Sequence, residues 1–376
     1  MHVGLNLVFL VPGETGGMEV YARELIPALL AAAPEGTRFT AFINREAARA
    51  AHGPWSDLVA HRTVPVNARS RVQWVLGEQA LLPRLAAREG IDLLHSLGST
   101  APLRGRFRSI VTVHDLIYAR FPETHPGLRG HGMRVLVPRA ARRASRVVTD
   151  SQSTREDLVA LLAIDADRVD VIPLGIGTLR REQPLAEAEV RARFGLGARR
   201  LLLSLSAKRP HKNLTALIDA LALMPHERRP LVVVPGYRTW HERELRERAS
   251  LRHVDNDIRF LDWLFGAELE GLWASCDGFV FPSLYEGFGL PVLEAMARGV
   301  PVACSQASSL TEVAGDAALL FDPHDPRAIA AAIEELLRPE RAARLRARGL
   351  QRAREFTWER TARATLDSYA RALVSA

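Results

Sequence analysis

Residues 283–302 read Ser-Leu-Tyr-Glu-Gly-Phe-Gly-Leu-Pro-Val-Leu-Glu-Ala-Met-Ala-Arg-Gly-Val-Pro-Val, and this stretch decides the fold. It follows a short apolar run, Gly278 to Pro282, and leads into another, Pro301 to Cys304. The order is strand, glycine loop, helix, strand. Gly287 and Gly289 allow backbone to approach a ligand closely. The N–H groups that open a helix from about Gly289 form an anion site of the kind that suits a diphosphate. Glu286 lies in the loop, where a carboxylate near a phosphate is unfavourable unless hydroxyl groups such as those of a sugar donate to it. Glu294 falls two turns along, where a ribose diol would satisfy both its oxygens. Taken alone, the two glutamates equally fit a helix cap and a solvated side chain.

The same rhythm extends outward in both directions. Runs rich in Val, Ile and Leu alternate with helix-length amphipathic segments, as expected for parallel sheets covered by helices on both faces. The first half predicts strands at His2 to Val11, Arg38 to Ile43, Asp92 to Ser96, Ser109 to His114, Arg146 to Asp150 and Arg168 to Pro173. The second predicts them at Arg200 to Leu205, Pro230 to Pro235, Ile258 to Leu261, Gly278 to Pro282, Pro301 to Cys304 and Ala318 to Phe321. No repeat relates the halves. Between Gly175 and Arg200 the rhythm is broken by Gly175, Gly177, a charged stretch and Pro184, which predicts a change of domain there. A length of 376 residues also exceeds what one core usually serves. The expected division is 1–180, 181–355 and a C-terminal helical segment, 356–376, packing back on the first domain.

Composition narrows the class. With 47% apolar and 25% charged residues, the chain groups with soluble globular proteins and not with disordered or collagen-like ones. Cys276 and Cys304 stand in apolar surroundings away from any His cluster, so neither a disulfide framework nor a zinc site is expected. The run Leu5 to Val11 lacks a basic leader and is too short to span a bilayer. A cytoplasmic location is expected. The formal charge of +7 comes mostly from arginine and speaks to partners, not to fold.

Several further segments carry polar groups at strand ends, where ligands of such folds bind. Gly16 and Gly17 open the helix after the first strand. Thr112-Val113-His114-Asp115 ends a buried strand, with Asp115 placed to orient His114. After the strand at Leu203, the chain runs Lys208-Arg209-Pro210-His211-Lys212. Phe260-Leu261-Asp262-Trp263-Leu264 follows another strand, and Trp263 reads either as an aromatic that borders a ring or as core.

Two glutamates flanking Gly-Phe-Gly-Leu-Pro, then Glu-Ala-Met-Ala and Gly-x-Pro-Val, resemble the signature of retaining glycosyltransferases of family 4. The other segments resemble that family in the right order. The resemblance implies an α/β fold called GT-B, two facing Rossmann-like domains with a deep interdomain cleft, the second holding a nucleotide-sugar donor. It implies that Glu286 acts near the transferred sugar, that Glu294 holds the ribose, and that His114 contacts the donor sugar. Gly16 and Gly17 are brought against the donor phosphates, Lys212 is the phosphate lysine, and Gly287, Phe288, Gly289 and Leu290 form the donor loop. Trp263 and Leu264 lie where relatives contact the base. The family's separate phosphate arginine is missing at Ala207, leaving Lys208 or Arg209 as substitutes.

The expected activity is metal-independent transfer of a hexose, with retention, from an NDP-sugar to a glycan, lipid-linked or small-molecule acceptor. No cofactor is expected, and GDP-mannose is slightly favoured as donor. Metal dependence would need an Asp-x-Asp at a strand end. The two such triplets, Asp165-Ala166-Asp167 and Asp255-Asn256-Asp257, both read as turns. Two alternatives stand beside the transferase: a GT-B nucleotide-sugar epimerase or hydrolase, and a degenerate nucleotide-sugar-binding protein, which would be expected to lose His114, Lys212 or the glutamates. A basic, partly amphipathic segment from Arg129 to Arg146 predicts peripheral contact with an anionic membrane, on the inner face of the cytoplasmic membrane, or equally a solvated helix. Nucleic acid is not an expected partner.

Overall fold

The computed structural model describes residues 1–50, 52–124, 127–177 and 182–374, without the side chains of 127–129. The boundary expected between 180 and 181, and the side chain of Arg129, lie outside the described residues. The chain divides into two compact units, Met1–Gly177 with Phe356–Ala376, and Thr178–Glu355.

The first unit is built on seven parallel strands: β1 (His2–Leu7), β2 (Arg38–Ile43), β3 (Ala60–Thr63), β4 (Leu93–Ser96), β5 (Arg108–Thr112), β6 (Arg146–Thr149) and β7 (Val169–Val171). Their order is β3-β2-β1-β4-β5-β6-β7. β1 is buried throughout, as a parallel strand covered on both faces must be. It ends at Leu7, short of the predicted Val11, because Asn6 Oδ1 accepts from Val8 N (3.1 Å) and Leu10 N turns back to Leu7 O (3.0 Å). β3 was not predicted. Its residues Ala-His-Arg-Thr are all exposed, so no apolar period marks an edge strand that is held by backbone pairing with β2.

The helix Trp358–Val374 belongs to this unit and packs on the helix Gly17–Ala32 and on β5 and β6. Its buried face is tied down by polar contacts. Tyr369 Oη lies 2.8 Å from His95 Nδ1, and Ser368 Oγ donates to Asp170 Oδ2 (2.6 Å); the same carboxylate takes Arg146 on Oδ2 and Arg371 on Oδ1. Gly175 is required at the junction, because a Cβ there would collide with the backbone of Trp358.

The second unit has six parallel strands: β8 (Leu201–Leu203), β9 (Leu231–Pro235), β10 (Ile258–Leu261), β11 (Gly278–Phe281), β12 (Val302–Ser305) and β13 (Leu319–Phe321), in the order β10-β9-β8-β11-β12-β13. The helices Leu214–Leu223 and Pro326–Leu336 close one face, burying Leu217, Ile218, Leu221, Ile329, Ile333 and Leu336. Each such side chain contributes about 1.5–3 kcal/mol. In both sheets the chain starts in the middle and then reverses direction of growth. The switch falls between β1 and β4 in one and between β8 and β11 in the other, and ligands of open α/β sheets bind beyond the strand ends at that point.

Candidate active site

In the second unit the loops leaving β8 and β11 are stitched together. Past β8, the turn Pro210–Lys212 ends at Asn213, a left-handed residue (φ 56°) whose Nδ2 donates to Pro282 O (3.0 Å) and Pro323 O (2.8 Å). Leu284 N donates to His211 O (2.8 Å). These ties deliver Lys212 Nζ to 2.6 Å from Glu286 Oε1, the oxygen that also accepts from Ser283 Oγ at 2.6 Å. The two side chains are only 16% and 11% exposed, so the pair is sheltered from screening. From β12's side, Ser308 Oγ accepts from Glu286 N (2.9 Å), and Ser309 Oγ donates to the carbonyls of Glu286 and Phe288 (2.9 Å each).

Glu286 therefore does not cap the following helix. That helix, Leu290–Ala297, begins behind Gly289 with no side-chain cap. Gly289 sits at φ 107°, and a Cβ there would lie 2.6 Å from Leu310 Cδ2. Phe288 is buried beside it and Leu290 is half-buried. Glu294, on the same helix, is half-buried; burial pushes its carboxyl above the ordinary range, partly countered by Arg298, which itself pairs with Glu270 (2.6 Å).

The structure separates the two cations left open by the sequence. Lys208 is fully buried, and its Nζ donates to the carbonyls of Gly236 and Leu261, clamping the loop after β9 to the end of β10. Burial pulls its pKa down to about 8. Arg209 is half-buried and its guanidinium has no partner among the described residues. Trp263 stacks on Tyr237 (centroids 4.5 Å, 7° between planes) and keeps 44% of its surface exposed, while Leu264 is half-buried.

In the first unit Gly16 (φ 64°) leads into the helix Gly17–Ala32, and Glu19 of that helix reaches back to accept from Gly13 N (2.6 Å). His114 emerges just beyond β5. Its Nδ1 lies 2.7 Å from Asp150 Oδ2 and its Nε2 3.1 Å from Leu97 O, so it spans the ends of β6 and β4. Asp115 was expected to orient His114 and does not: its Oδ1 accepts from Ile117 N (2.9 Å) and starts the short helix Ile117–Arg120. Asp150 takes that place. Its signal was present in Val-Val-Thr-Asp, an acid leaving a buried strand as His114 does, but the pairing of two strand ends requires the strand order. Burial works against a charged His114, yet Asp150, the Leu97 carbonyl and Asp115 together raise its pKa.

Sequence reasoning also missed Glu78. It lies in a π-helical turn, Gly77–Leu81, fully buried at the ends of β1 and β4. Asn6 Nδ2 (3.1 Å), Thr100 Oγ1 (3.0 Å) and Gln79 Nε2 (3.1 Å) all donate to its carboxylate. Burial pushes its pKa up to about 7.

Both Asp-x-Asp triplets are occupied. Asp165 Oδ1 accepts from Asp167 N, and Asp257 is held by Arg199 (2.7 Å) and Arg229 (3.2 Å). Among the described residues no group of three or more His, Cys, Asp or Glu is placed to hold a metal ion, and no helix is long and apolar enough to cross a membrane. Cys276 and Cys304 are free, and burial pushes both thiols up to about 12.

Two family models match the chain: Glycosyltransferase Family 4 over residues 15–180 and Glycosyl transferases group 1 over residues 187–355. The O-antigen chain mannosyltransferase B of Escherichia coli is 35% identical over 267 residues, 70% of this chain and 70% of that one. The chain belongs to glycosyltransferase family 4. The serotype-specific mannosyltransferase WbdA of Escherichia coli is 32% identical over 72% of this chain, a match that spans about a third of WbdA (34%). Among solved structures, sucrose-phosphate synthase from Thermosynechococcus elongatus superposes with a TM-score of 0.78 at 21% identity, covering 98% of both chains. The fold of this family 4 chain is GT-B.

Proposed function

We propose that this protein transfers a hexose, with retention and without a metal ion, from a nucleoside diphosphate sugar to a hydroxyl group of a glycan, lipid-linked or small-molecule acceptor. The observation that carries this reading is the sheltered Lys212–Glu286 pair at the ends of β8 and β11, where the fold binds ligands. A leaving diphosphate gains negative charge in the transition state, and a cation aimed at it stabilises that state more than the ground state. Lys212 is that cation, with Arg209 beside it in the chain as the second. Glu286 accepts hydroxyl donors from the sugar, the loop Gly287–Gly289 admits the phosphates, and Glu294 takes the ribose. Trp263 and Leu264 border the base, and in the first unit His114, with Gly16 and Gly17, serves the sugar and phosphates.

Metal independence is supported by the occupation of both aspartate triplets by backbone and arginine. The names of the matched mannosyltransferases favour GDP-mannose as donor and a glycan as acceptor. Peripheral contact with an anionic membrane is supported by the helix Gly127–Arg143, which leaves Arg134, Arg139, Arg142 and Arg143 exposed.

The test is thermal stabilisation and donor hydrolysis across a panel of NDP-sugars in EDTA, for wild type and Glu294→Ala. Stabilisation by one nucleotide class, weakened in the variant, is the expected result and names the base. A folded protein that responds to no nucleotide overturns the transferase reading in favour of a degenerate binding protein.

A further inference from the structure

We propose that Asp150 is a positioning residue for transfer: it holds His114 as a cationic ring with a fixed orientation, and this cation is what the donor sugar meets. The inference rests on the placement of His114 at the donor sugar argued above.

The carbonyl of Leu97 is an acceptor only, so Nε2, 3.1 Å away, carries a proton. Nδ1 and Asp150 Oδ2, 2.7 Å apart, hold a second proton between them. Burial raises the carboxyl of Asp150 and opposes charge on the ring, while the attraction within the pair lowers the acid and raises the imidazole. With that proton on Nδ1 the ring has no lone pair: it is a donor and a point of positive charge, not a general base. Asp150 is 2% exposed and its other oxygen, Oδ1, has no hydrogen-bond partner, so the carboxylate has one strong partner among the described residues, the imidazole.

The remaining neighbours support the same state. Tyr21, from the helix Gly17–Ala32, sets its ring edge-on to His114 (4.8 Å between centroids), and burial with the nearby Asp150 pushes its hydroxyl well above the usual range, keeping it neutral. His95, on β4, is engaged by Tyr369 and Thr112 (2.8 Å each) and is pulled down to about 3 by burial, so it stays neutral and offers no competing cation. Asp115, the next residue in the chain, adds a favourable field. Thr154 Oγ1 donates to the backbone carbonyl of His114 and leaves the ring untouched. A sugar oxygen reaching Nε2–H shares or replaces Leu97 O as acceptor without any proton being moved.

Two measurements on the full chain test this. Nitrogen-15 NMR of the free protein reads the ring directly, with no donor required: both His114 nitrogens are expected at protonated shifts at pH 7. Asp150→Asn keeps the shape and still accepts from Nδ1–H, but removes the charge. An opposite charge at this range shifts a pKa by about 1–3 pH units. The alkaline limb of kcat for GDP-mannose hydrolysis is therefore expected to move toward acid by that amount, with activity recovered at low pH. Asp150→Glu, which keeps the charge, is expected to hold the wild-type limb and serves if the Asn variant does not fold. A neutral His114 at pH 7 in wild type overturns the proposal, as does an equal loss of activity at every pH in Asp150→Asn, which is what a purely structural role produces. Failure of wild type to respond to any sugar nucleotide sinks the functional reading instead, and the NMR result separates that failure from failure of the pair.

Discussion

Glu286→Gln should tighten the binding of free nucleoside diphosphate while slowing transfer. Lys212 Nζ and Ser283 Oγ both lie 2.6 Å from Glu286 Oε1. At an effective dielectric constant of about 20, unit charges at that separation attract by about 6 kcal/mol before desolvation is counted. In the proposed function a diphosphate entering the site must draw Lys212 from this carboxylate and then lie close to it. If a quarter of the attraction is surrendered on binding, its removal is worth about 1.5 kcal/mol, or a little over tenfold in Kd. The amide keeps the shape and still accepts from Lys212 and Ser283, so the fold is retained. In the proposed function the same change also takes the carboxylate from the sugar, and loss of one preorganised polar group of this kind slows turnover by about 10²–10³. Calorimetric titration with GDP and UDP in EDTA, alongside donor turnover, measures both effects. A folded Glu286→Gln protein that binds nucleoside diphosphate no more tightly than wild type refutes the reasoning, and so does one that turns over at the wild-type rate.

Gly289→Ala forces a non-glycine residue to φ 107° and puts a Cβ 2.6 Å from Leu310 Cδ2. Backbone strain of about 1–3 kcal/mol adds to overpacking of similar size, so urea unfolding of the second unit should show a loss of at least about 2 kcal/mol; a loss under about 0.5 would show that the loop simply moves. Glu78 is the group to watch for pH dependence in the first unit. Its folded pKa, raised to about 7, means that the folded state retains a proton which the unfolded chain releases near pH 4, so stability falls as pH rises between those values and stays low above. The decline amounts to about 3 kcal/mol. Glu78→Gln should abolish it in urea melts at pH 5 and pH 8, and an unchanged difference between the two pH values would point to another group.

What the sequence made legible was local. The alternation of apolar runs and amphipathic helices suffices for the fold class, because parallel strands buried on both faces need uninterrupted apolar residues, and the glycine loop and helix start within residues 283–302 announce themselves without tertiary context. The losses follow the same logic. β3 has no apolar side chain to bury, so nothing in Ala60 to Thr63 marks it. The end of β1 is set by the Asn6 side chain, a contact invisible to hydrophobic pattern. His114 and Asp150 are partners because β5 and β6 are neighbours, and sequence proximity pointed instead to Asp115, which spends its carboxylate on Ile117 N. Lys208 and Arg209 are adjacent and chemically alike in a sequence; only burial shows that one is consumed by two carbonyls.

Charge shows the difference most clearly. A net of +7 speaks to partners, yet many of the arginines are engaged within the fold. Arg199 and Arg229 share Asp257, Arg248 and Arg252 share Asp219, and Arg146 and Arg371 share Asp170. Arg168 donates to the carbonyls of Arg142 and Ala144, which close the helix Gly127–Arg143. Charges of this kind are already engaged by partners within the fold. In the proposed function Lys212 is set apart from them by its place, since it and the carboxylate it faces stand at the ends of β8 and β11, where the fold binds ligands. Lys208 is set apart the other way, fully buried and donating to two backbone carbonyls, and the net charge of the chain cannot tell the two apart.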